Sequence, residues 1–171
     1  MKRRKVYIKD MVYGANDGII TTFAVVAGVT GGGLPVDVVL TIGVASLFAD
    51  GFSMAASDYL GSRSEEAANE SEGISACSDR SAVSAALLTF IAFVAAGAIP
   101  LVPYLIAGRD APLFIYAAFA TAAALAGVGV LRALVSRRSV LVSSLEMLAI
   151  GGIAAVSAYV IGYQIHALTG A

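Results

Sequence analysis

Polar positions are sparse along this chain, and their placement divides it into five apolar runs. A bilayer core about 30 Å thick is crossed by roughly 20 helical residues. Five stretches reach that length: about 10–30, 36–60, 81–106, 112–134 and 139–166. The runs are continuous rather than alternating, which argues against a membrane β-barrel. The pattern predicts an all-α membrane protein: a single domain, 1–171, with five transmembrane helices. Pro100 and Pro103 should kink or end the third helix near its far side, which a bundle tolerates when neighbours re-satisfy the backbone. The polar stretch 61–80 should continue the second helix for a few turns, until Gly73 breaks it.

Composition sharpens this picture. Of 171 residues, 58% are hydrophobic and only 13% charged, with a mean hydropathy of +0.85. An ordinary soluble domain carries about twice that share of charge. No second soluble domain and no nucleic-acid partner are expected. The single Cys77 excludes an internal disulfide and a cysteine-cluster metal site, and fits a reducing compartment. The N-terminal run MKRRKVYIKD is basic, but Asn16 and Asp17 interrupt the apolar core that a cleavable signal peptide would need.

Charge is sorted by loop. Lys2, Arg3, Arg4, Lys5 and Lys9 precede the first helix; Arg63 and Arg80 lie between the second and third; Arg132, Arg137 and Arg138 lie between the fourth and fifth. Only Arg109 falls on the other side. Positive loops stay in the cytoplasm, so the N-terminus is expected there and the C-terminus outside or in a lumen. The outer loops, 31–35 and 108–111, are too short for a receptor domain.

Acids inside the apolar runs are the candidate chemistry. A carboxylate at the bilayer centre costs about 2.5–3.5 kcal/mol on insertion scales, which makes it a functional hypothesis by default. Residues four apart share a helix face, so Asp50, Met54 and Asp58 form one stripe on the second helix. Asp17, Met54 and Glu146 each lie about 10 Å in from the cytoplasmic end at about 1.5 Å per residue. Carboxylate oxygen with a thioether suits iron(II) better than magnesium or calcium, and manganese(II) also fits. A carboxylate in a low-dielectric medium can exchange its proton for a metal ion, which would couple transport to protons. The expected partners are therefore divalent metal ions, as substrate rather than cofactor, together with protons and membrane lipids.

Plainer readings stand beside these. Met54 is also a good core filler, and Asp58 a good interfacial cap. Asp17 can bond to Asn16 or to neighbouring hydroxyls, and Glu146 can pair with Arg132 or Arg138. The glutamates Glu65, Glu66, Glu70 and Glu72 read as a solvated helix face, and His166 as exposed. Tyr13, Tyr59, Tyr104 and Tyr163 suit interfacial anchors. Gly14 and Gly18, like Gly28 and Gly32, are spaced for close helix approach, to a partner or within a crowded bundle. No catalytic motif is present, so an intramembrane enzyme is disfavoured. A structural subunit whose acids pair with a partner remains the other alternative to a transporter.

The run DMVYGANDGIITTFAVVAG resembles the first-helix signature of the vacuolar iron transporter family, which includes nodulin-like members. ADGFSMAASDYLGSRSEEA is similar to its second-helix pattern, S-M-A-x-G-E-Y-x-S. GAIPLVPYLI and LEMLAIGGIAAVSAYVIG resemble the third and fifth helices. The resemblance implies a five-helix homodimer that moves iron(II), and often manganese(II), out of the cytoplasm by proton antiport. It places the path at the dimer interface, lined by first and second helices, with Asp17 and Met54 as metal ligands. Asp58 stands where the family has glutamate, and Asp50 where a small residue is usual. Family members with a glutamate-rich cytoplasmic metal-binding domain insert it after the second helix. Here only Gly61–Asp79 occupies that place, and Glu65 and Glu66 match its beginning. A chain this short and rich in alanine and glycine suits a prokaryotic plasma membrane.

Overall fold

The structure, a computed structural model, describes residues 2–71, 81–108 and 111–170, with side chains from residue 8 onward. Expectations that fall on the side chains of Lys2–Lys5, or on Glu72, Gly73, Cys77, Arg80, Arg109 and Asp110, lie outside the described residues.

Among the described residues, six α-helices make five spans. They are α1 (Lys2–Gly31), α2 (Val36–Ser71), α3 (Ala82–Gly97), α4 (Val102–Ile106), α5 (Leu113–Ser136) and α6 (Val140–Thr169). A 3-10 turn, Ile99–Leu101, joins α3 to α4, and the three together form the third span. All five spans are long and apolar enough to cross a membrane. The third breaks where its prolines predict. Pro100 falls in the first turn of the 3-10 segment and Pro103 in the first turn of α4. There the missing N–H groups are ones a helix leaves unpaired in any case. The second helix continues past the bilayer-length run to Ser71, carrying Glu65, Glu66 and Glu70 beyond the span.

The termini follow from local chemistry. Gly33, with φ +67°, closes α1 in a Schellman arrangement. The Leu34 N–H donates to the Val29 carbonyl at 3.2 Å, and that of Gly33 to Thr30 at 3.0 Å. Pro35 then blocks extension of α1, and its carbonyl accepts the first bonds of α2. Ser81 caps α3, its hydroxyl accepting from the Ser84 N–H at 3.4 Å.

α1 is the hub and packs against α2, α3, α5 and α6. Its glycines permit this. A Cβ on Gly14 would sit 2.7 Å from the Thr89 carbonyl oxygen, and one on Gly18 would collide with the Phe93 backbone. Further along, Gly31 faces the Tyr159 backbone, and Gly162 faces the Gly28 carbonyl. Both glycine pairs therefore serve contacts inside the protomer, Gly14 and Gly18 with α3, and Gly28 and Gly32 with α6. One apolar cluster joins Phe23, Val26, Val39, Leu47, Phe93 and Leu101 across the bundle. A second joins Ile19, Leu125, Val128 and Met147. Phe119, Ile106 and Leu168 point outward, as they would toward acyl chains.

Candidate metal path

The central helix leaves one of its faces uncovered. Asp17 is exposed, although the next residue, Gly18, is buried against α3. Asp17 on α1 and Asp50 on α2 lie close enough for their charges to repel. No donor among the described residues reaches the Asp17 carboxylate; the neighbouring Thr21 hydroxyl donates instead to the Asp17 backbone carbonyl at 2.5 Å. Two carboxylates within charge reach of each other on two apolar spans raise the local energy, which an opposite charge would lower.

The remaining expected ligands are distributed around this pair. Met54 lies one turn beyond Asp50 on α2, half-buried, and packs against the apolar cluster that contains Phe93 and Leu47. Asp58 is another turn on, and its Oδ2 accepts a hydrogen bond from the Thr89 hydroxyl of α3 at 2.9 Å. Thr89 is 3% exposed, so its hydroxyl is held to that partner. Glu66 pairs with Arg63 on the same helix at 3.1 Å, and Glu65 is exposed beside it. Glu146 takes the alternative role anticipated for it: the Arg132 guanidinium donates to its Oε2 at 2.6 Å, tying α5 to α6. Among the described residues, no three His, Cys, Asp or Glu side chains converge into a metal-binding group. The chain thus presents an acidic pair with a thioether one turn along α2, and among the described residues no closed coordination cage.

Thr89 and Asn16 were not singled out as site residues by sequence. A threonine in an apolar run carries no signal of what it will bond, and Thr89 gains its role because α2 packs against α3. Asn16 turns its Oδ1 into the bundle, where it is buried without a partner among the described residues.

The model of the VIT family matches residues 8–75 and 67–163, almost the whole chain. The chain belongs to the VIT family. This fits the five spans and makes it a multi-pass membrane protein. Curated relatives in the family include the vacuolar iron transporter of Toxoplasma gondii, 41% identical over 66 residues, which are 39% of this chain and 22% of that protein. The vacuolar iron transporter of Plasmodium berghei is 41% identical over 61 residues, 36% of this chain and 22% of that one. Vacuolar iron transporter 1 of Arabidopsis thaliana is 37% identical over 59 residues, covering 34% and 24%. The matched segments thus span less than a quarter of the length of these VIT relatives. All three come from eukaryotes and are named for the vacuole, so they give no support to the expected prokaryotic plasma membrane.

Proposed function

We propose that this chain is a metal-ion transporter that moves iron(II), and manganese(II) with it, out of the cytoplasm in exchange for protons. The path runs where two copies adjoin along the uncovered face of α1 and α2. Asp17 and Asp50 are its membrane acids, Met54 supplies a sulfur, and Asp58 lies at the cytoplasmic mouth with Glu65 and Glu66 beyond it. Glu146 stays with Arg132 and holds α5 against α6.

The observation that carries this reading is the exposed Asp17 of the central helix, within charge reach of Asp50 on α2. An unpaired carboxylate facing lipid would be expelled or neutralised. Facing its counterpart on a second copy, it gains a partner whenever a cation or a proton bridges the two. The names of the relatives support iron as cargo. The mixed oxygen and sulfur donors support a borderline ion over a hard one. Membership of the VIT family supports a transporter over a structural subunit.

The test is uptake into proteoliposomes. Iron(II) should enter, manganese(II) should compete, and magnesium and calcium in excess should not. A proton gradient should drive uptake and a protonophore should collapse it. Uptake indifferent to the protonophore would replace antiport with a channel, and competition by magnesium would remove the role of the sulfur.

A further inference from the structure

A concavity lies beside the Asp17 face of α1, on the side of α5 and α6. It has a volume of about 430 Å³ and is walled by α1, α5 and α6. Its polar residues are Lys9, Tyr13, Asn16, Arg132 and Ser136; Val12, Val135, Met147 and Ile150 form an apolar wall. From Lys9 to Asn16 it descends about 10 Å along the axis of α1. It therefore opens at the basic end of the bundle and runs into the depth of the acyl chains.

Its chemistry is the opposite of the metal path. Two cations rim it, so a metal ion is repelled. The Lys9 ammonium lies 5.7 Å from the centre of the Tyr13 ring, and Tyr13 is 59% exposed. The Arg132 guanidinium gives one N–H to Glu146 and, with five donors in all, keeps others for an anion. The Ser136 hydroxyl is spent on the Arg132 carbonyl at 2.6 Å. Deeper in, the Asn16 side chain lines the groove, with its Oδ1 turned inward and without a donor among the described residues.

We propose that this groove binds a phospholipid with an anionic headgroup, of the phosphatidylglycerol type. The phosphate sits between Lys9 and Arg132, and an acyl chain covers Val12, Met147 and Ile150. Phosphatidylcholine fails because its trimethylammonium group cancels the phosphate charge and meets the same cations. A basic pocket between helices on the cytoplasmic side is a recurrent form of lipid-headgroup site.

Native mass spectrometry of the purified full chain, titrated with defined lipids, tests this. Phosphatidylglycerol should stay bound in preference to phosphatidylcholine. Lys9→Gln, which changes an exposed residue and spares the bundle, should weaken retention about fivefold, as expected for one cation near a membrane surface. Arg138→Gln, an exposed cation outside the groove, should leave it unchanged. Equal retention of the two lipids would overturn the proposal. So would an equal effect of Lys9→Gln and Arg138→Gln, which would mean a diffuse basic surface. Displacement of the lipid by millimolar inorganic phosphate would also overturn it, since the site would then hold a free anion.

Discussion

At the scale of single residues, exposure separates function from support. Asp17 is exposed and makes no side-chain bond among the described residues, so Asp17→Asn should leave the folded yield of the protein unchanged. Thr89 is the reverse case. Its hydroxyl bonds Asp58 inside the bundle, and Thr89→Val keeps the shape while removing the donor. Hydrogen bonds between membrane helices are worth about 0.6 kcal/mol on average and up to about 1.7. Thr89→Val should therefore cost about that much stability, read by unfolding in mixed micelles, and should also loosen the Asp58 carboxylate. An unchanged stability would mean that Asp58 is held by its other contacts alone. The residue-level chemistry was only partly legible in the sequence. An acid in an apolar run is visible at once, but its partner is not. For Glu146 the sequence left a ligand role and a pairing with Arg132 or Arg138 both open; the structure gives it Arg132, and sets Asp17 within charge reach of a second carboxylate.

At the scale of helices, glycine sets the architecture. The spacing of Gly14 with Gly18, and of Gly28 with Gly32, announces close approach but not to which neighbour. The structure spends the first pair on α3 and the second on α6. That leaves the Asp17 face of α1 as the open one, the reverse of a face recruited by glycine. A wedge tests the assignment. Gly18→Val would drive its side chain into the Phe93 backbone, and overpacking of this kind costs roughly 1–3 kcal/mol or more. The folded yield of Gly18→Val should fall sharply, while Gly127→Val, at a position open on all sides, should express as well as the parent. Equal yields would mean that α1 and α3 are further apart. Element existence, the order of the spans and the proline break were readable because hydropathy and proline act locally. The neighbours of α1 were not, because they depend on which small residues meet across the bundle.

At the scale of the whole molecule, the chain has an acidic face and a half-buried sulfur, but among the described residues no converging set of His, Cys, Asp or Glu ligands. The proposed path between two copies makes a geometric prediction. Ala24 lies two turns from Asp17 on the same face of α1. Ala24→Cys should cross-link between copies in native membranes, and Phe119→Cys, which points outward from α5, should not. A single band at monomer mass for Ala24→Cys under mild oxidation would mean that α1 does not meet its counterpart.

The most direct measurement of the central claim is iron(II) uptake into proteoliposomes by the parent chain, Asp17→Asn and Glu146→Gln, at equal folded protein. The acidic face of α1 carries the ion in this account, and the Glu146–Arg132 pair only braces α5 and α6. Uptake should drop at least tenfold in Asp17→Asn, the scale of losing an interaction that tunes a metal site, and persist in Glu146→Gln. Parent-level uptake by Asp17→Asn, or a loss confined to Glu146→Gln, would contradict it.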